Sequence, residues 1–449
     1  MTDERMGLAG TLALLAATVA VLFAVALGVD DDRVASVAAG TSDEPAPDKP
    51  AAKLDSGELL DLSLERSPIV ARRVAEIRGV EFDRVPEPQV TDVEALRDLA
   101  EEEIAKPKTA NALAAGDAEL KLLGLLEPEA SLADVTTDVT ADAAAYYDPK
   151  EKELFLLGDA VPAGPALAEF VLAHELNHAL EDQAFGLPMS SASNDDRVLA
   201  QSALVEGSAT ALMTEYAAQH LSAADLLSES SAIQADTSDL PPIALAQVTF
   251  SYIGGQQFID ELRETAGGDW DLVDFAYEAR LPASTEQVLH PEKYLDDEKP
   301  LPVAGSPNAG PGWEETDSGA VGEFVTREIL RQDAEEIGAD EAAAGWGGDH
   351  YRLFRRAGAP EECADDCREE YSMAIVWRGD DSSEAAELRT ALEGFVERSL
   401  EGSDAGDGAF ELDGGWATVD GERDVATLAV APDQDLARRL AAPVAQPVK

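Results

Sequence analysis

The stretch that decides the fold is PALAEFVLAHELNHALEDQAF, residues 165–185, which contains the motif His174-Glu175-Leu176-Asn177-His178. Its opening proline suits the first turn of a helix and its apolar residues recur on one face, so the pattern predicts a buried helix. Two histidines four residues apart lie about 40° apart on such a helix, where both can bind one Zn²⁺. Glu175 then flanks the ion and can deprotonate a water whose pKa zinc lowers toward about 7. The alternative is that both histidines are packed core residues.

A catalytic zinc site needs a third protein ligand. Metzincins would have Gly and His at positions 181 and 184, where this chain has Glu181 and Ala184, so that class is excluded. Glu206 stands alone among apolar and small residues in the next predicted helix, where burying an unpaired charge is costly. We therefore expect Glu206 to be the third ligand. The alternative is that Glu206 caps a helix or pairs with an arginine such as Arg197, in which case Glu215 is the reserve ligand.

The combination of His174, Glu175, His178 and, on a later helix, Glu206 resembles the gluzincins, the zinc peptidases whose third ligand is a glutamate. The resemblance implies a zincin-like fold and hydrolysis of peptide bonds, with Zn²⁺ held by the two histidines and Glu206 and with Glu175 as the general base. By analogy it also implies that a peptide or protein substrate lies along the predicted strand near Leu154. Five strings together resemble a haloarchaeal family of surface-anchored metallopeptidases: His174 to Gln183, Glu206 to Ala209, Tyr252 to Gly254, Ser284 to Pro291 and Gly345 to Asp349.

One position departs from the thermolysin-like pattern. Those enzymes have an aspartate four residues after the ligand glutamate, where it supports a zinc histidine, and this chain has Thr210. Support for the histidines then has to come from another side chain. Asp182, one turn after His178, is the candidate.

Peptide hydrolysis also needs a donor for the oxyanion beyond the metal itself. His290, beside Pro291 in a predicted loop, is the preferred candidate, and the alternative is that it is a structural histidine. Three tyrosines are the other side chains of a suitable type, and we expect the second of them to be a core residue: Tyr147, Tyr252 and Tyr294.

The composition is strongly acidic, with 90 Asp+Glu against 33 Lys+Arg and a net charge of -57. The resulting field repels phosphates, so nucleic-acid binding by a basic surface is excluded. Molar salt shortens the Debye length to about 3 Å, which would relieve the self-repulsion. The composition therefore favours a protein that works in concentrated salt. The alternative is an acidic secreted protein from a low-salt environment.

The first 55 residues form two predicted segments. Gly7 to Val29 is an uncharged apolar run long enough to cross a bilayer, so we expect residues 1–29 to be a membrane anchor, with a cleaved signal sequence as the alternative. Residues 30–55 are rich in Asp, Ala and Pro and predict a disordered acidic stalk. This organisation predicts a single-pass protein of the cell membrane with its soluble body outside.

The rest of the chain predicts an α+β fold class, in which the zincin-like catalytic body is mainly helical with a small β-sheet, after one N-terminal transmembrane helix. We expect the zincin-like domain with an N-terminal helical collar at residues 56–305, and a small C-terminal α+β module at 306–449. A hairpin is predicted at 145–157, just before the motif helix. In the C-terminal module, strands are predicted at 350–355, 372–377, 417–419 and 425–430, with a helix at 383–400.

Two questions stay open in the sequence. Cys363 and Cys367, four residues apart, are either a local disulfide or two free thiols. The alternative function is a non-catalytic surface protein, in which zinc is a structural staple and the C-terminal module binds a partner. Hydrolysis of a non-peptide amide would use the same residues as peptide hydrolysis.

Overall fold

The computed structural model of the 449-residue chain describes residues 56–141, 144–158, 164–188, 195–230, 240–332, 336–363 and 365–447. The predicted anchor and stalk, residues 1–55, lie outside these ranges. The described chain is an α+β protein with two sheets, one of three strands and one of seven.

The N-terminal half is mainly helical and contains the smaller sheet. Its helices and strands are α1 (Ser56–Arg78), β1 (Gln89–Thr91), α2 (Val93–Ile104), α3 (Pro107–Leu122), α4 (Leu132–Ala141), β2 (Ala145–Asp148), β3 (Glu153–Leu157), α5 (Pro165–Ala184), α6 (Asp195–His220), α7 (Ala223–Ser230), α8 (Pro242–Thr249), a π-helical turn (Phe250–Gly254), α9 (Gly255–Thr265), α10 (Asp271–Glu278), α11 (Thr285–Leu289) and α12 (Pro291–Leu295).

The small sheet has the strand order β1-β3-β2. Strand β3 is the central one, since it pairs in parallel with β1 and antiparallel with β2. Strand β2 pairs with β3 alone among the described strands, so its other edge is not paired within the sheet. The predicted hairpin at 145–157 is therefore confirmed, and it presents β2 rather than β3 as an edge.

The C-terminal half is built on the larger sheet. Its elements are β4 (Trp313–Gly319), α13 (Gly322–Arg331), α14 (Glu336–Ala344), β5 (Trp346–Arg356), β6 (Tyr371–Gly379), α15 (Ser382–Arg398), β7 (Ser403–Gly406), β8 (Ala409–Leu412), β9 (Gly415–Asp420), β10 (Val425–Ala431) and α16 (Gln434–Ala441).

The seven strands are antiparallel throughout, in the order β4-β5-β6-β10-β9-β8-β7. Both faces of the sheet are covered, which explains why β6 is buried along its whole length. Met373 and Ile375 point into one core, whereas Ala374 points into the other, where Leu436 of α16 packs. The four strands and the helix predicted for this part of the chain are confirmed, and the structure adds the strands β4, β7 and β8 and the helices α13, α14 and α16.

The two halves share a core. Helix α3 belongs to the predicted N-terminal helical collar. Its residues Leu113 and Leu120 are buried in the same cluster as Trp377 of β6. A second cluster joins α1, α5, α6 and α9, and Phe324 of α13 reaches into it. Helix α5 runs through this second cluster, which explains why its residues from Leu167 to Glu181 are buried.

The fold-class prediction needs correction in one part, the N-terminal transmembrane helix. Among the residues that the structure describes, no helix has the length and continuous apolar character that a bilayer crossing needs. The longest, α6, spans 26 residues but carries Asp195, Asp196, Glu206 and Glu215. The predicted segment Gly7 to Val29 lies outside the described residues, and the structure gives no support to it.

The structure joins Cys363 and Cys367 in a disulfide. The bridge closes a loop between β5 and β6, and the Cys367 side of it is fully buried in the larger core. Of the two alternatives for this pair, the structure has the disulfide.

Candidate metal centre

Helices α5 and α6 bring three potential metal ligands together. His174 and His178 lie one turn apart on α5, and Glu206 faces them from α6. The Nε2 atoms of the two histidines are 3.0 Å apart, and Oε2 of Glu206 lies 3.2 Å from His174 Nε2 and 3.5 Å from His178 Nε2. These three side chains form a group that could hold a metal ion.

The electrostatics of the group favour a positive charge at its centre. Burial lowers the pKa of His174 and keeps that imidazole neutral. Burial would also lower the pKa of His178, but the carboxylates of Glu206 and Glu175 outweigh it and raise this pKa to about 9. Burial would raise the pKa of Glu206, yet the two imidazoles hold it well below its usual range. Glu206 is therefore ionised and lies against His178, which retains its proton. A cation held between the three side chains would be stabilised in the same way.

Glu175 lies beside this group without a hydrogen-bond partner. Neither of its carboxylate oxygens, both buried, makes a hydrogen bond to any described residue. Burial raises the pKa of Glu175 to about 8, although the positive charge of His178 and, more weakly, the nearby backbone N–H of Tyr147 in β2 oppose that rise. An unpaired buried carboxyl is costly, so its presence beside two ligand histidines points to a role in binding or chemistry.

A close crossing of two helices fixes the position of Glu206. A Cβ atom added to Gly207 would lie 2.2 Å from the backbone carbonyl carbon of Gly255, the first residue of α9. Only glycines allow backbones to approach this closely. Because Gly207 follows Glu206 directly, the crossing with α9 holds the backbone of α6 in place beside this carboxylate.

The chain from α8 to α9 is not one continuous α-helix. Residues Phe250–Gly254 form a π-helical turn between α8 and α9. Such single π turns are frequent at functional sites. The turn brings the ring of Tyr252 parallel to the imidazole of His174, with their centroids 5.7 Å apart. Tyr252 is buried, as expected, and it is also a direct neighbour of the candidate metal group.

The structure places the expected supporting residues elsewhere. Asp182 accepts a hydrogen bond of 2.8 Å from Tyr147 Oη rather than from a ligand histidine. Thr210 donates to the backbone oxygen of Glu206 at 2.7 Å. Glu215, the reserve ligand, pairs with Arg263 at 2.7 Å.

His290 is not brought together with the metal group. Its Nε2 lies 2.9 Å from Oε1 of Glu323, a buried residue of α13. This contact joins the loop between α11 and α12 to the C-terminal half, and no described contact joins His290 to His174, His178 or Glu206. The adjacent Tyr294 is also engaged, since it donates to the backbone oxygen of Arg280 at 2.8 Å.

A second acidic group contains its own cation. Glu286, Glu298 and Asp380 have carboxylate oxygens within 4.8 Å of one another. The ammonium of Lys293 lies 2.5 Å from Glu286, 3.0 Å from Asp380 and 3.4 Å from Glu298. The lysine thus takes the place that a metal would need.

One residue near the metal group was missed by sequence reasoning. In the sequence, Glu181 serves only to exclude the metzincin pattern. The structure shows that it is fully buried and that it bonds to side chains of three other helices. The signal available in the sequence was its position on α5, seven residues after His174 and three after His178, which places it on the ligand face.

Comparison with known proteins gives a family match in the C-terminal half. Residues 311–441 match the Domain of unknown function (DUF8575). This range contains the seven-stranded sheet and none of the helices that carry the candidate metal group. No curated protein matches the chain. A crystal structure from Chloroflexus aurantiacus, described as a "putative hydrolase with a novel fold", is 14% identical, with a TM-score of 0.34, over 59% of this chain and 94% of its own. We therefore derive the function from the geometry of the site.

Proposed function

We propose that the protein is a zinc-dependent hydrolase that cleaves peptide bonds. The observation that carries the proposal is the convergence of His174, His178 and Glu206 beside the unpaired carboxyl of Glu175. Three protein ligands with one general base nearby is the arrangement of catalytic rather than structural zinc sites, which have four protein ligands.

The separations between the ligand atoms fit zinc. Tetrahedral ligands at about 2.1 Å from one ion lie roughly 3.4 Å from one another. The three separations here are 3.0, 3.2 and 3.5 Å. Two imidazole nitrogens and one carboxylate oxygen are also a ligand set that zinc takes in peptidases.

Zinc supplies a Lewis acid that polarises a carbonyl and makes water more acidic. Glu175 then takes the proton from the attacking water and passes it to the leaving amine nitrogen. Burial raises the pKa of Glu175 above that of an exposed carboxyl, which favours its holding the proton until the amine leaves. His174 and His178 would hold the ion through their Nε2 atoms, which lie 3.0 Å apart, and Glu206 would be the third ligand.

The free edge of β2 supports an extended peptide as the substrate. The gluzincin analogy implies a substrate along the strand near Leu154, but this strand, β3, already pairs on both sides. Strand β2 has an unpaired edge within the described sheet, and the N–H of Tyr147 lies near Glu175. A peptide that adds to this edge by backbone hydrogen bonds would pass the general base.

The direct test of catalysis is Glu175→Gln, which keeps the shape of the side chain and removes the base. The full chain, loaded with Zn²⁺ in molar KCl, is assayed against a diverse peptide library, and cleavage products are identified by mass spectrometry. We expect the variant to lose activity by about 10²- to 10⁴-fold while it binds the same amount of zinc. Equal cleavage by both proteins, or none by the wild type, would contradict catalysis.

The ligand set has a matched test on α6. Glu206→Gln should abolish stoichiometric zinc binding, because it removes the charged ligand. Glu215→Gln, on the same helix but paired with Arg263, should leave zinc binding unchanged. Zinc per chain is measured by atomic emission after dialysis. Retention of zinc by Glu206→Gln would exclude Glu206 as a ligand.

A second candidate function is a non-catalytic protein with a structural zinc, and one observation favours it. The site is closed, since His174, Glu175, His178 and Glu206 are exposed by 1%, 1%, 5% and 4%. Cobalt-substituted protein separates the two functions. A hydroxamate that changes the visible spectrum of the cobalt shows an open ligand position and catalysis, whereas an unchanged spectrum shows a closed, structural site.

A further inference from the structure

Glu181 is a fully buried carboxylate in the last part of α5. Its Oε1 accepts hydrogen bonds from Arg78 Nε at 2.9 Å and from Ser208 Oγ at 2.5 Å. Its Oε2 accepts from Tyr277 Oη at 2.8 Å. The three donors come from α1, α6 and α10, so one carboxylate joins four helices.

This carboxylate lies between the two helices that supply the metal ligands. Glu181 follows His178 by three residues and His174 by seven, which places all three on the same face of α5. Ser208 follows Glu206 by two residues on α6. The bond between Glu181 and Ser208 therefore ties the histidine helix to the glutamate helix within a turn of the ligands on each side.

The ligand histidines lack the support that such residues usually have. Metal-binding histidines generally donate their second ring nitrogen to a carboxylate or a carbonyl. Here the Nδ1 atoms of His174 and His178 are buried and bond to no described residue. Asp182 and Thr210 bond elsewhere. The orientations of both imidazole rings therefore depend on how α5 packs against α6.

The partners of Glu181 are themselves held firmly. Arg78 is fully buried, pairs with Asp274 at 2.6 Å and lies over the ring of Trp270 at 4.6 Å. Tyr277 stacks on Phe185, the residue after α5, with ring centroids 5.5 Å apart. Breaking a buried charge pair of this kind is costly. These contacts therefore hold α5 firmly in its position.

We propose that Glu181 is a positioning residue for the metal centre: its bonds to Ser208, Arg78 and Tyr277 set the distance between the histidines of α5 and Glu206 of α6. This inference rests on the metal site of the proposed function but not on its catalytic activity.

The chain contains a matched control on the same helix. Glu169 of α5 is also buried and also accepts from two arginines and a tyrosine, Arg66, Arg73 and Tyr216. It precedes His174 by five residues and so points away from the ligand face. Glu169→Gln and Glu181→Gln remove the same charge from similar surroundings, and each breaks a bond between α5 and α6. Glu169 meets α6 at Tyr216, far along the helix from Glu206, whereas Glu181 meets it at Ser208, within a turn of that ligand.

The test is the zinc affinity of the full chain in molar KCl, measured by competition with a chromophoric chelator. We expect Glu181→Gln to bind zinc about 10- to 100-fold more weakly than the wild type, the usual effect of losing such support. Glu169→Gln should match the wild type within about 2-fold, although thermal melts should show both variants destabilised. Activity is not needed for this readout.

Three results would overturn or restrict the inference. Equal zinc affinity in the two variants would show that Glu181 only stabilises the fold. If Glu181→Gln does not fold, Tyr277→Phe is the deciding variant, since it removes one donor to Glu181 and keeps the ring stacked on Phe185. We expect this variant to bind zinc about 3- to 10-fold more weakly than the wild type. An unchanged zinc affinity would refute the proposal. A wild type that binds no zinc would refute the metal site itself, whereas one that binds zinc and cleaves nothing would refute only catalysis.

Discussion

Asp196, near the start of α6, is 2% exposed and accepts hydrogen bonds from both the N and Oγ1 atoms of Thr285, at 2.8 and 2.6 Å. These bonds favour the ionised form, but burial outweighs them and raises its pKa to about 7. Asp349, which caps the start of α13 through the N–H groups of Val321 and Gly322, behaves alike, with a pKa raised by burial to about 6. The carboxyl groups of Asp196 and Asp349 therefore have pKa values close to neutral pH.

The pH dependence of stability follows from these directions. A carboxyl whose pKa is higher in the folded than in the unfolded protein stabilises the fold at low pH, below its unfolded pKa of about 3.9. That stability is lost as the pH rises from about 4 through the folded pKa, about 7 for Asp196. We expect the free energy of unfolding to fall over this range, by at most about 1.4 kcal/mol per pH unit for each such group.

The measurement is chemical denaturation at pH 5 and at pH 7, in constant molar KCl, for the wild type and for Asp196→Asn. The amide keeps an acceptor for Thr285 and cannot ionise, so the variant should lose less stability between the two pH values. A wild-type stability that is the same at both pH values, or a variant that follows the wild type in full, would contradict the raised pKa.

At the scale of elements, the crossing of α6 and α9 is the closest approach beside the metal group. An added Cβ on Gly207 would lie 2.2 Å from the carbonyl carbon of Gly255, and one on Gly255 would lie 2.2 Å from the backbone oxygen of Ala203. Backbone atoms cannot give way as a flexible side chain can. The two glycines therefore decide how near α9, and with it Tyr252, comes to Glu206.

We expect Gly207→Ala to force these helices apart, with a loss of stability of about 1–3 kcal/mol from overpacking and a weaker zinc affinity. Gly338→Ala is the control, because Gly338 lies in helix α14 with no neighbour within 4 Å of an added Cβ. That change should stabilise the protein by about 0.5–1 kcal/mol, since alanine is the better helix former. Denaturation curves measure both, and a Gly207→Ala variant as stable as the wild type would exclude the tight crossing.

At the scale of the whole molecule, acidic side chains also lie where the two halves of the protein contact each other. Burial, followed by the charges of Asp195, Asp317 and Asp349, raises the pKa of Glu119 well above its ordinary value. The hydroxyl of Tyr351 lies 3.1 Å from oxygens of both Asp195 and Asp317. The halves thus meet across several carboxyl groups, within a chain of net charge -57, and ionisation of these groups would oppose their contact.

We expect the melting temperature of the full chain to rise with KCl from 0.1 M to several molar, because the Debye length falls from about 10 Å to about 3 Å at 1 M. A melt followed by circular dichroism at each concentration measures this. Potassium chloride and a neutral osmolyte of equal osmolality should differ, since only the salt screens charge. Stability that is flat or falls with KCl would refute adaptation to concentrated salt.

Much of the architecture was accessible from local pattern. The spacing of apolar residues predicts α5 and α6, and the alternation around Asp148-Pro149-Lys150 predicts the hairpin. The order of the seven strands was not accessible, because β6 pairs with β10, more than forty residues later, and pairing between distant strands leaves no periodic trace in either. The π turn was hidden as well, because a single helical turn is too short to show a period of its own in the sequence.

The sequence by itself determined the helix that carries His174, Glu175 and His178, the candidate ligand Glu206, and the strong negative charge, because motif spacing, helical period and composition are properties of the chain itself. Only the tertiary structure decided that Glu206 meets the histidines, that His290 pairs with Glu323, and that β2 is the free edge. It also decided the role of Glu181, whose partners Arg78 and Tyr277 are 103 and 96 residues away. Contacts at such separations depend on how helices pack, and no local pattern specifies which buried side chains will meet.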